Sequence, residues 1–110
     1  GNDGLRGTPL TTTRKNVSAL LAELKKDRRT VVLAGMRIPP NYGKDYADGF
    51  AALFPSLAKQ HGVAFMPFLL DGVAAVPSLN LPDGIHPNEE GHKKLAASVL
   101  AFLDKEGLPR

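Results

Sequence analysis

Cysteine is absent from all 110 residues, which excludes a disulfide framework and thiolate zinc sites. No apolar run approaches the length of a membrane span, and the first residues show no basic stretch followed by an apolar one. A strong charge of one sign is also missing, since 14 Lys and Arg against 11 Asp and Glu leave a net charge of +3. The densest basic cluster, Lys25, Lys26, Arg28 and Arg29, falls at the end of a predicted helix, where cations complement the helix dipole. No aromatic residues interleave with it, so nucleic acid is not an expected partner. There is no internal repeat and no low-complexity segment. Nor is there a serine on a tight strand-to-helix turn of the Gly-x-Ser-x-Gly kind. Ser18, Ser56 and Ser98 fall within predicted helices, and Ser78 alone lies in an irregular loop.

What is present is ordinary globular composition, 43% hydrophobic and 23% charged, at a length that suits one small domain. Val17, Leu20, Leu21 and Leu24 recur at helical spacing and predict a helix over about 12–27, capped by Thr11 or Thr12. Thr30 to Met36 is a β-branched apolar run that reads as a strand buried on both faces, followed by a loop over Arg37 to Gly43. Phe50, Leu53, Phe54 and Leu57 share one face of a second helix over about 45–61, with Gly62 as its stop and Pro55 as a possible kink. A second buried strand is expected over Val63 to Phe68, an irregular stretch over Leu70 to Pro82, and a last helix over about 88–105. In that helix Leu95, Val99, Phe102 and Leu103 share a face.

This alternation is that of a parallel α/β sheet. Two strands flanked by three helices leave such a sheet with an open edge and an incomplete core, so further strands are expected to precede Gly1. Ligand sites of open parallel sheets lie beyond the carboxyl ends of the strands. Three segments meet that criterion: Gly1 to Pro9, Arg37 to Gly43, and Phe68 to His86.

The last of these holds the strongest chemical pattern, Asp83-Gly84-Ile85-His86-Pro87. A carboxylate that accepts from one imidazole nitrogen fixes the tautomer and leaves the other nitrogen free to take a proton from a nucleophile. Gly84 allows the bend and Pro87 stiffens the exit; the plainer reading is a Pro-Asp-Gly turn followed by an ordinary histidine before a helix. His92 reads as a surface residue and His61 as a cation compensating a helix end. Asn2 offers an NH2 donor to developing negative charge, although Asn-Asp-Gly is also turn chemistry.

Gly1-Asn2-Asp3-Gly4-Leu5-Arg6-Gly7 resembles the third conserved block of the SGNH (GDSL) hydrolases, and Asp83 to Asn88 resembles the fifth. Arg37-Ile38-Pro39-Pro40-Asn41-Tyr42-Gly43 resembles the bacterial thioesterase I, lysophospholipase and arylesterase-like branch. The three segments stand in that family's order and span the chain. The resemblance implies a three-layer α/β/α, flavodoxin-like parallel sheet, incomplete in this chain, with residues 1–110 as the C-terminal part of a single domain. It implies Asp83 and His86 as the catalytic pair of a Ser-His-Asp triad and Asn2 as an oxyanion-hole donor. The nucleophile block would lie before Gly1. Gly4 and Leu5 then belong to a mobile segment covering the acyl group, and Ile38, Pro39 and Tyr42 to an apolar trough, though loop packing explains those three equally well. Arg6 reads equally as a structural hydrogen-bonder.

The expected function is therefore hydrolysis of carboxylic esters or acyl thioesters by acyl transfer, without metal or organic cofactor. The expected partners are a small ester or acyl-thioester substrate and the N-terminal portion of the same domain, in the same or a complementing chain. These 110 residues alone are expected to be inactive. A periplasmic or secreted location is implied by the family branch. The alternative is a non-catalytic α/β interaction module that retains hydrolase-like loops.

Overall fold

A computed structural model describes all 110 residues, which form two compact units, Gly1–Phe68 and Leu69–Arg110. The first holds helices α1 (Asn2–Leu5), α2 (Leu10–Lys26) and α3 (Lys44–His61), and strands β1 (Val32–Ala34) and β2 (Ala64–Met66). The strands pair in parallel, with Val32 opposite Ala64, Leu33 opposite Phe65 and Ala34 opposite Met66. Each is shorter than its apolar run and, Met66 apart, half-buried, not buried on both faces. The reason is that the sheet has only these two strands, so each has one neighbour. Hydrogen bonds carry the pairing one residue further at each end, from Ala64 N–H to Val31 O at 3.3 Å and from Gly35 N–H to Met66 O at 2.7 Å. A side chain at Gly35 would collide with the Pro67 carbonyl, so the strands' carboxyl ends close only around a glycine.

Helix α3 forms the core of this unit. Phe50, Leu53, Phe54, Leu57 and Ala58 are buried along it, and Phe50 meets Phe54 edge-on with ring centroids 5.2 Å apart. The helix runs through Pro55 and stops at Gly62, whose φ of 62° is the left-handed cap that releases the chain into β2. Helix α2 packs on α3, but with a different stripe from the one its leucines suggest. Thr13 and Leu21 are buried and Leu10 and Val17 pack on the core, whereas Leu20 and Leu24 are 63% and 40% exposed. Leu20 lies about 100° round the helix from Leu21, which takes it off the contact face. The start of α2 also differs: Pro9 is its cap, and no side chain caps it. Gly1 to Pro9, expected as loop, begins with the helical turn α1.

The second unit is a series of turns followed by α4 (Glu89–Lys105). Val73 is fully buried, Pro77–Leu79 forms a 3-10 turn where an irregular loop was expected, and Asn80 and Pro87 make an antiparallel bridge. On α4 only Gly91 is buried; Leu95, Val99, Phe102 and Leu103 are half-buried.

Candidate active site

In the second unit Asp83 and His86 are joined as the sequence pattern requires. His86 Nδ1 lies 2.6 Å from Asp83 Oδ2, while Asp83 Oδ1 accepts from the backbone N–H groups of Ile85 at 2.9 Å and His86 at 3.0 Å. An ionised carboxylate only accepts, so Nδ1 carries the hydrogen and Nε2 presents a lone pair. The side chain of His86 is 64% exposed and that of Asp83 42%. The hydrogen bond from the His86 ring, with those from Ile85 and His86 N–H, lowers the Asp83 carboxyl to about 2. Gly84 takes φ 70°, the left-handed conformation that lets the carboxylate turn back over its own loop.

The base of this loop is fastened by two asparagines. Asn80, 8% exposed, donates through Nδ2 to Val73 O at 2.8 Å and Val76 O at 2.9 Å. Asn88 caps α4 by accepting from Gly91 N–H at 2.9 Å, and its Nδ2 donates to Ser78 O at 2.9 Å and Asn80 O at 3.3 Å. Leu81 N–H to His86 O at 2.8 Å closes the loop, and Asn88 N–H to Leu79 O at 3.0 Å fixes its exit. Sequence reasoning placed a helix start near Asn88 but missed Asn80 and Gly91. Asn88 carried a cap signal, being followed by two acidic residues; Asn80 carried none, because its partners are backbone carbonyls. Beside the loop lies an open hollow of about 410 Å³, lined mainly by apolar groups of Val76, Pro77, Leu81 and Pro82.

The other sequence-selected residues belong to the first unit. Asn2 is exposed at the start of α1, and its carbonyl accepts from Arg6 N–H at 2.9 Å. Gly4 is buried under Ile38 and Phe50, where an added Cβ would lie 2.6 Å from Ile38 Cγ2. Ile38 is 8% exposed and part of the core, so its side chain packs inward and does not line an open trough. Leu5 is half-buried against the same core, while Arg6, Pro39 and Tyr42 are exposed. Arg37 lies over the Phe68 ring, 5.0 Å from its centroid, next to a hollow of about 340 Å³ lined in part by Met36, Phe65 and Pro67.

No serine is hydrogen-bonded to His86. Ser18 Oγ pairs with His61 Nε2 at 2.7 Å, Ser56 accepts from Arg14 at 3.3 Å, and Ser78 sits in the 3-10 turn. His61 thus ties α3 to α2, and its carbonyl at the α3 terminus accepts from Lys25 Nζ. His92 is exposed.

Residues 1–94 match the model of the GDSL-like lipase/acylhydrolase family. An arylesterase from Vibrio mimicus is 39% identical over 104 residues, covering 94% of this chain and 52% of the relative. Thioesterase 1/protease 1/lysophospholipase L1 of Escherichia coli is 36% identical over 96 residues, covering 87% of this chain and 46% of the relative. The crystal structure of the psychrotrophic esterase EstA from Pseudoalteromonas sp., inhibited by monoethylphosphonate, superposes with a TM-score of 0.88 at 28% identity. That superposition covers 94% of this chain and 57% of the other. The chain spans about half the length of the curated relatives it matches. The two parallel strands and their helices are an incomplete α/β fold of the SGNH hydrolase type.

Proposed function

The chain belongs to the GDSL-like lipase/acylhydrolase family, and from that premise we propose that it forms the C-terminal part of a serine hydrolase domain acting on carboxylic esters or acyl thioesters. The observation that carries the reading is the 2.6 Å contact between His86 Nδ1 and Asp83 Oδ2, which sets Nε2 up as a base. The similarity to an arylesterase, and to a protein named both thioesterase and lysophospholipase, supports esters and thioesters as the substrate class.

In this mechanism a serine in the portion before Gly1 attacks the acyl carbonyl and passes its proton to His86 Nε2. His86 delivers that proton to the departing alcohol or thiol, leaving an acyl-enzyme. Water then attacks the acyl group, giving its proton to His86, which returns it to the serine as the acid is released. Asp83 holds the ring in the right tautomer and stabilises the imidazolium. The Asn2 amide donates to the oxyanion, a contribution on the order of 10²–10³ in kcat for one such donor. Pro39, Tyr42 and Leu5 offer side chains to the acyl group; Gly4 and Ile38, both buried, act through the backbone they set in place. No metal or organic cofactor takes part. The half-buried strands and the doubled length of the relatives support a nucleophile-bearing portion upstream. No helix is long and apolar enough to cross a membrane; the similarity to the thioesterase I-like relatives supports an exported location, periplasmic or secreted.

The test is His86→Ala in the full-length protein with a short p-nitrophenyl ester. A fall in kcat on the order of 10⁴–10⁶ is expected; an unchanged kcat would sink the catalytic role and leave the non-catalytic interaction module. Residues 1–110 expressed alone should be inactive, and a stable monomer with cooperative unfolding would count against the half-domain reading.

A further inference from the structure

The turn that carries Asn2 is held by side chains from two other helices. Thr13 Oγ1, on α2, donates to Asp3 Oδ2 at 3.0 Å, and Thr13 is buried. Tyr46 Oη, on α3, donates to Thr8 O at 2.5 Å and lies 3.5 Å from Asp3 O. Asp3 O in turn accepts from Thr8 N–H at 2.9 Å, so Asp3 is gripped at its carboxylate and at its carbonyl. The Tyr46 ring stacks on Phe50 with centroids 6.5 Å apart, and Phe50 lies beneath Gly4.

A four-residue helix has no stability of its own, because nucleation costs more than its few hydrogen bonds return. An oxyanion donor, however, acts only where it is held in place before the charge develops. We propose that Thr13 and Tyr46 are positioning residues for Asn2, aiming its amide through Asp3 and Thr8. The inference rests on the oxyanion role proposed for Asn2. Neither hydroxyl is needed to fill space: Tyr46→Phe keeps the ring on Phe50, and Thr13→Val keeps the volume. Their loss therefore loosens the aim of Asn2 without opening a cavity.

The experiment measures kcat and KM of the full-length protein for Asn2→Ala, Tyr46→Phe, Thr13→Val and Thr13→Ser, with the two hydroxyl deletions, Tyr46→Phe and Thr13→Val, repeated in the Asn2→Ala background. Tyr46→Phe and Thr13→Val should each lower kcat by about 10–100-fold while KM moves less than about two-fold, and Thr13→Ser should restore the rate. Once Asn2 is alanine the same deletions should change kcat by less than about two-fold, because nothing remains to aim. Ser18→Ala breaks a contact between α2 and α3 that does not reach α1, and should lower Tm while leaving kcat unchanged. Equal losses with and without Asn2 would show a merely structural role and overturn the proposal. So would unchanged rates in Tyr46→Phe and Thr13→Val beside a slow Asn2→Ala. An Asn2→Ala protein at full rate would overturn the oxyanion reading itself, and this inference with it.

Discussion

In the first unit Phe50, Leu53 and Leu57 are buried to 2% exposure or less, all from α3, and the chain around them is set by packing. In the second unit Val73 is the one large side chain buried to that degree, and the loop is set by Asp83, Asn80 and Asn88 binding the backbone. The hydrophobic driving force is non-directional, whereas hydrogen bonds fix orientation. The His86 imidazole, whose proposed role requires one nitrogen aimed in one direction, sits where directional contacts dominate. Asn2 lies on the apolar unit, and there too its turn is reached by directional contacts from Thr13 and Tyr46.

The contrast is open to test, and the largest effect is expected in the loop. Asp83→Asn in the full-length protein should cost about 10⁴ in kcat, because the amide NH2 facing His86 would donate to Nδ1 and leave the ring hydrogen on Nε2, the wrong tautomer for a base. A rate within ten-fold of the parent, about 1.4 kcal/mol, would mean that direction is not what the loop provides. Next comes Leu57→Ala, which opens a cavity in the core of the first unit and should lower unfolding stability by about 2–5 kcal/mol in urea titrations. Asn80→Ala should cost about 1–3 kcal/mol by removing two hydrogen bonds, those to the Val73 and Val76 carbonyls, which keep only the backbone N–H groups of Val76 and Leu79 as donors. A loss as large as that of Leu57→Ala would erase the distinction between the units. The smallest signal is a titration. Asp83 is held at about 2 against an ordinary 3.8, so its bonds contribute fully above 3.8 and are lost as pH falls through about 2. Carboxyl NMR should show that low midpoint, and a midpoint near 4 would mean that the turn is not formed in solution.

Much of this was legible in the sequence. Phe50, Leu53, Phe54 and Leu57 announce α3, Gly62 marks its end, and the spacing of Asp83 and His86 announces the carboxylate–imidazole contact. Resemblance at Asn2, Arg37 to Gly43 and Asp83 to Asn88 was enough to reach the family. What escaped depended on partners distant in sequence. Thr13 is polar and reads as surface; its burial is possible because Asp3, ten residues away, takes its hydroxyl. Leu20 and Leu24 read as core because they are apolar, yet helix phase is set by what α3 presents, including Gly49, whose missing side chain admits Leu10. Strand lengths were overestimated because an apolar run records what wants burial, while a ladder records where a neighbour exists. Asn80 was invisible because a buried amide bound to carbonyls leaves no pattern in a single sequence.

Gly91 is more than the cap partner of Asn88. A Cβ there would overlap the Leu79 carbonyl and press on Pro87, so the first turn of α4 lies flush against the strip of backbone that leads into the loop. The consequence is informational. Asp-x-x-His is short enough to arise by chance in many unrelated chains, whereas Asp-x-x-His-Pro-Asn-x-x-Gly encodes a steric fit as well as a chemical pairing. Among homologues, those that keep both Asp83 and His86 while replacing Gly91 should be rare, and such a chain would have to build the approach to its histidine differently.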